Sequence, residues 1–317
     1  MKLALSVVVA VFSLSSPGSE NKFSSLRGPY LGQIAPADAA VVFLDGLVST
    51  VDGDEMNAGF SLDGREFYYC ARHEEDWSIY WTREEGGGWT EPERMPFSAG
   101  FTDRDFTMSP DGSRIYFGSN RPSAPGGEKL TSLDVFYTER LASGAWSEPV
   151  NAGPVVNSDF GENYPSVASN GNLYFFSCRD EGHGRCDIYQ AKMVDGRYDQ
   201  PVPLGTAVNS DKNDWDSYIA PDERYIIFSS QDRPDTLGGQ DLYISYRMSD
   251  GSWTPAKNMG HRVNSESGEI CPSVSLDGKY FFFTSRRRRG HADVFWMTTD
   301  IIRDLEPKGS GPSKETP

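Results

Sequence analysis

Asn163-Tyr-Pro-Ser-Val-Ala-Ser-Asn-Gly-Asn-Leu-Tyr-Phe-Phe176 reads as a strand, a tight turn at Ser169-Asn-Gly171 and an aromatic-rich second strand. The same sentence is written five times along the chain. The turns are Ser61-Leu-Asp-Gly64, Ser109-Pro-Asp-Gly112, Ser169-Asn-Gly171, Pro221-Asp-Glu223 and Ser275-Leu-Asp-Gly278. The strands that follow are Glu66-Phe-Tyr-Tyr69, Arg114-Ile-Tyr-Phe117, Leu173-Tyr-Phe-Phe176, Tyr225-Ile-Ile-Phe228 and Tyr280-Phe-Phe-Phe283. A period of roughly fifty residues with several strands per unit predicts a β-propeller, one blade per repeat.

Each unit offers four strands. The third carries Asp134-Val-Phe, Asp187-Ile-Tyr, Asp241-Leu-Tyr or Asp293-Val-Phe, with Ser78-Ile-Tyr in the first unit. The fourth carries an aromatic residue ahead of Pro: Trp89-Thr-Glu-Pro, Trp146-Ser-Glu-Pro, Tyr198-Asp-Gln-Pro and Trp253-Thr-Pro. Pro suits an outer edge, where a missing N–H does least harm. The fifth unit lacks this strand. The segment Ala40-Val-Val-Phe-Leu-Asp-Gly-Leu-Val-Ser-Thr50 aligns with the end of a unit and can supply it from the other end of the chain. The fold class is therefore all-β: a five-bladed propeller of four-stranded antiparallel blades, closed by an N-terminal strand and removing two exposed edges. Six blades is the runner-up count.

These motifs together resemble the WD-repeat-like units of TolB-type β-propellers. Gly28-Pro-Tyr-Leu-Gly-Gln33 and Ile301-Ile-Arg-Asp-Leu-Glu-Pro307 resemble the ends of stand-alone secreted members, so the resemblance spans residues 28–307. It implies fold more than activity, because one fold hosts many functions. TolB itself is a periplasmic binding and scaffold protein. No stretch here resembles its separate α/β domain, and none resembles the cell-wall-binding domain of some related chains.

The bulk numbers set further limits. Net charge is −16 over 317 residues, which argues against nucleic-acid binding and fits cationic partners or an extracytoplasmic setting. Met1-Lys2, an apolar run from Leu3 to Leu14 and small residues to Ser19 describe a signal peptide over 1–19, too short to span a bilayer comfortably. Residues 20–38 are then a lead-in, 39–305 the propeller and 306–317 a polar tail of disordered composition. The expected product is periplasmic or secreted, monomeric and without a membrane span. Four cysteines fit that compartment. Cys178 and Cys186 flank one hairpin that a disulfide can close. Cys70 and Cys271 fall in the first and last units, neighbours in a closed ring, and their pairing is left open.

Eight residues before each turn Asp (or Asn170) stand Glu55, Asp103, Glu162, Asp214 and Glu269. All are acidic, and all start the innermost strand of a blade, so a ring of carboxylates around one channel mouth is expected. Three readings remain. Bare like charges attract a cation or a basic partner. Hard oxygens hold Ca2+ or Mg2+, with no other cofactor expected. Alternatively, Arg72, Arg121, Arg179, Arg233 and Arg286, near the ends of the second strands, are each held between the acid of the blade and its strand-three Asp and so brace the blade.

The hairpins between strands two and three vary from unit to unit and share that face: His73-Glu-Glu-Asp-Trp77, Pro122–Thr131, Asp180-Glu-Gly-His-Gly-Arg185, Asp232–Gly239 and Arg286-Arg-Arg-Arg-Gly-His291. Variable loops on a repeating scaffold mark a binding face. The leading functional expectation is a non-catalytic propeller binding a protein, peptide or glycan in the envelope or outside the cell. The alternative is a glycoside hydrolase using Glu55, Glu162 or Glu269, since that chemistry needs a carboxylate pair. No Gly-x-Ser-x-Gly elbow, phosphate loop or His-Glu-x-x-His helix is present.

Overall fold

The computed structural model describes residues 22–36, 38–124, 126–288 and 290–308. The expected signal peptide and most of the expected tail lie outside them. Five antiparallel blades follow one another around an axis. Their innermost strands are Glu55–Phe60, Asp103–Met108, Glu162–Val167, Asn213–Ile219 and Glu269–Val274. The second strands are Glu66–His73, Arg114–Ser119, Leu173–Ser177, Tyr225–Gln231 and Tyr280–Ser285. The third are Asp76–Glu85, Asp134–Glu139, Asp187–Ala191, Asp241–Tyr246 and Asp293–Thr298.

The ring closes as the sequence implies. Val41–Val42 is the outer strand of the fifth blade, with Val41 opposite Trp296 and Val42 opposite Phe295. Phe43 then donates its N–H to the Val294 carbonyl at 2.8 Å. Its ring is fully buried among Phe60, Phe67, Phe282 and Trp296, with centroids 5.0–5.9 Å away. One aromatic thus ties the first blade to the last.

The lead-in strengthens this seam. Tyr30 packs on Phe60 at 4.8 Å and Tyr280 at 4.6 Å, while the Trp89 indole N–H reaches the Gly28 carbonyl at 3.0 Å. Tyr30 and Leu31 hold φ of 56° and 53°, conformations that non-glycine residues adopt only under tertiary constraint.

The outer strands correct one expectation. The aromatic before Pro does not lie in the fourth strand. It forms a short separate pairing with strand three, as in Gly88–Trp89 or the Arg140–Trp146 and Arg247–Trp253 bridges. The fourth strand begins only after the proline: Glu93–Arg94, Val150–Asn151, Val202–Pro203 and Lys257–Asn258. Pro92, Pro149, Pro201 and Pro255 have no N–H to give the ladder, so the returning chain pairs on either side of them.

Every innermost strand also carries a bulge. The register slips between Met56 and Ala58, Arg104 and Thr107, Asn163 and Ser166, Trp215 and Tyr218, and Ile270 and Ser273. At each slip one non-glycine residue has positive φ: Asn57 (54°), Asp105 (58°), Tyr164 (50°), Asp216 (47°) and Cys271 (54°). Bulges re-aim side chains. Here they turn one residue per blade toward the axis.

Candidate channel-mouth site

The five expected acids are where the sequence puts them in chain order, but they are built into the blades. Asp103, Glu162, Asp214 and Glu269 are wholly buried and Glu55 nearly so. Four of them accept hydrogen bonds from the turn just ahead. Thr50, Ser158, Ser210 and Ser265 donate both main-chain N–H and hydroxyl to Glu55, Glu162, Asp214 and Glu269 at 2.5–3.1 Å. Burial raises the carboxyls of Glu55 and Asp103, opposed in Glu55 by Thr50 and in Asp103 by the Arg121 charge.

Four arginines complete the braces. Arg121, Arg179 and Arg233 pair with Asp103, Glu162 and Asp214 at 2.7, 3.0 and 2.6 Å. In the fifth blade the partner of Glu269 is Arg287, at 3.0 Å, and not Arg286, which is exposed. The reason lies in the strand-two serine. Ser285 accepts from the N–H and Nε of Arg287, as Ser119 does from Arg121, and this Ser-x-Arg geometry skips the residue between. Arg72 is displaced too. It bonds Asp54 instead of Glu55, because strand two of the first blade runs on to His73 and holds Arg72 opposite Trp77.

Among the described residues, Asp134, Asp187 and Asp241 of the third strands do not share the arginines. Asp187 accepts from the N–H groups of His183 and Gly184, Asp241 from Leu237 N–H and Asn258, and Asp134 from Ser123 and Asn151. Each Arg instead spans to a main-chain carbonyl, Phe97 for Arg121 at 3.2 Å and Val156, Val208 and Val263 for the others. The braces leave no bare acid ring. Among the described residues no three His, Cys, Asp or Glu side chains gather as metal ligands.

What faces the channel stands one and two residues further on. A cavity of about 240 Å3 opens there, lined by Met56, Arg104, Trp215 and Ile270 from the first offset and Asp105, Asp216 and Cys271 from the second, with Phe176 and Gln240. Near Asp105, Asp216 and Cys271 a bond crosses the axis. Tyr164 donates its hydroxyl to the Pro272 carbonyl at 2.8 Å and accepts from Asn57 Nδ2 at 3.1 Å. Asn57 Oδ1 in turn accepts from Phe106 N–H at 2.6 Å. Further along the innermost strands lies a smaller hollow lined by Phe60, Phe106, Ile219 and Val274.

The mouth is electrostatically uneven. Asp105 meets Arg104 Nε at 3.6 Å. Burial raises the Asp216 carboxyl strongly, the neighbouring Asp105 charge adds to this, and Cys271 N–H, Arg104 and the Ser229 hydroxyl oppose it. The two carboxylates titrate as a pair. Cys70 and Cys271 are both buried free thiols near this pair, pushed well above the usual thiol range by burial. Neither is a ready nucleophile.

On the rim, Cys178 and Cys186 form a disulfide across the third hairpin. The hairpins do lie at the face where the innermost strands start, since strands two and three turn there. Among the described residues no helix is long and apolar enough to cross a membrane.

The recurring acid dominates the sequence pattern and hides the two positions after it. Their signal is present in the same count. Two residues on, the series reads Asn57, Asp105, Tyr164, Asp216, Cys271, with no repetition except the aspartates.

No protein-family model matches the sequence, and no curated protein does either. Solved structures match the fold. A putative TolB from Agrobacterium tumefaciens aligns at 17% identity and TM-score 0.51, over 79% of each chain. A structure described as a glycoside hydrolase aligns at 11% identity and TM-score 0.54, over 93% of this chain and 96% of its own. At these identities the likeness is one of architecture: the chain has a propeller fold similar to that of TolB and, to the same degree, to that of a glycoside hydrolase.

Proposed function

We propose that this protein is an exported, non-catalytic β-propeller that binds a protein, peptide or glycan through the face bearing the channel mouth. It acts as a monomer in the periplasm or outside the cell. The observation that carries this is the contrast between a scaffold that repeats and axial residues that do not. Braces, turns and bulges recur in the blades, whereas Asn57, Asp105, Tyr164, Asp216 and Cys271 differ in size and chemistry at one geometric position. Asn57 and Tyr164 are taken up by the cross-axis bond, whereas Asp105, Asp216 and Cys271 line the cavity, and chemistry there that the repeating scaffold does not call for supports recognition.

The test is binding of the purified protein to a peptide panel and an oligosaccharide panel, alongside Asp105→Asn. The expected result is binding by at least one class that the substitution weakens. Absence of binding to both, or binding indifferent to the mouth, overturns the reading. Fractionation of cells carrying the full chain tests export, with cytosolic retention as the adverse outcome.

One observation favours a second reading, glycoside hydrolysis. Asp105 beside Arg104 and the proton-retaining Asp216 are two carboxyls with unequal environments, the condition for a base and an acid in one site. The roles expected for Glu55, Glu162 and Glu269 would pass to this pair. Release of reducing sugar that disappears in Asp216→Asn would support it.

A further inference from the structure

The mouth also indicates a ligand class, and this inference rests on the binding reading above. Two groups at its wall lack hydrogen-bond partners. Asp105 is 4% exposed, and among the described residues its carboxylate accepts no hydrogen bond. Its contact to Arg104 Nε, at 3.6 Å, is too long for one. Arg104 Nε is itself buried without an acceptor. Nε itself is sealed from solvent, but the Arg104 side chain is 37% exposed and the Asp105 carboxylate keeps an opening to the cavity, so a free acceptor and a free guanidinium edge stand side by side within reach of an incoming group.

A hydroxyl meets both from a single atom, donating to the carboxylate and accepting from the guanidinium, whereas an amide needs two atoms, its N–H and its C=O. An ammonium only donates, and a carboxylate or phosphate only accepts. Charge points the same way. The Arg104 guanidinium offsets Asp105, and Asp216 is held toward its neutral form by burial and by Asp105. A lining with little net charge selects neither cations nor anions. Beside these polar groups, Trp215 and Phe176 present half-buried rings to the same cavity. Aromatic faces suit a molecule with one apolar side. The volume, about 240 Å3, suits one ring held in the cavity, and the cavity opens to solvent so that the rest of a longer ligand can leave over the rim.

We propose that the channel mouth binds a single neutral sugar residue, a pyranose at the end or branch point of a glycan. Adjacent hydroxyls lie on Asp105, Arg104 and Asp216. The C–H face of the ring lies against Trp215 and Phe176, with the rest of the glycan leaving over the hairpins.

The experiment titrates neutral pyranosides (methyl glucoside, galactoside, mannoside and N-acetylglucosaminide) and their disaccharides into wild type, Asp105→Asn and Trp215→Ala. It follows saturation-transfer NMR and tryptophan fluorescence, with thermal melts confirming that each variant is folded. Saccharide binding that weakens about tenfold or more in either folded variant supports the proposal, a loss in the range of one hydrogen bond to a charged group or one ring contact. Saturation transfer to a sugar in the wild type, suppressed by a disaccharide that binds more tightly, supports it without any variant. Peptides that bind and lose affinity in these variants, with no saccharide binding, overturn the sugar assignment while the mouth remains a binding site. No ligand of either class sensitive to the mouth overturns both. Hydrolysis of a bound saccharide keeps the ligand class and removes the non-catalytic description.

Discussion

Tyr164 of the third blade donates its hydroxyl to the carbonyl of Pro272 in the fifth, across the axis of the ring. The same oxygen accepts from Asn57 of the first blade. One side chain therefore fastens three blades at the centre of the ring. Tyr164→Phe keeps the ring and deletes the bond, leaving a buried donor and a buried acceptor without partners. A loss of about 1–3 kcal/mol in chemical denaturation is expected. Unchanged stability would mean that the three blades are not held this way.

The seam between first and last blades is the second weak point. Phe43→Ala removes a ring that touches four aromatics and is expected to cost about 3–5 kcal/mol. Val41→Ala, on a side chain 45% exposed in the same strand, is expected to stay below about 1 kcal/mol. Equal effects would contradict closure through Phe43.

The braces distinguish two adjacent arginines. Arg287→Met leaves the buried Glu269 without its cation and is expected to destabilise by about 3–5 kcal/mol. Arg286→Met touches no brace and is expected to lie within about 0.5 kcal/mol of wild type. Melting of the two variants side by side decides it.

The aspartate pair has a pH signature. Both carboxyls are raised on folding, chiefly by burial, so the folded protein holds protons that the unfolded chain has released. Their contribution to stability is therefore full below the ordinary carboxylate range and declines as pH climbs from there toward the raised folded values. The slope is at most about 1.4 kcal/mol per pH unit for each group. Asp216→Asn is expected to flatten stability relative to wild type between acid and neutral pH. A variant that runs parallel to wild type would show that folding does not raise the Asp216 carboxyl.

The architecture is legible in the sequence because turn chemistry and aromatic strands repeat with the backbone. Asp63, Asp111 and Asp277 each hold their own turn by accepting from the N–H two residues on, so the signal is local. Closure by Val41–Val42 is legible for the same reason, as a missing strand must come from somewhere. Arg286 stands in for Arg287 in the sequence pattern because one residue of offset is decided by the Ser285 hydroxyl, a contact that alignment of charges does not register. The axial residues escape notice because a bulge breaks the period-two alternation from which a strand's facing is normally read. Asp105 and Asp216 would be assigned to the wrong side of a regular strand.

The bulges have a consequence for how such a protein can change. Each blade offers the centre a single socket whose backbone geometry is set by the neighbouring ladder and is indifferent to what fills it: amide, acid, phenol and thiol all occur. Exchange at Asp105, Asp216 and Cys271, which line the cavity, can rewrite selectivity while Tyr164 and Asn57 go on fastening the hub and the surrounding wheel keeps its braces.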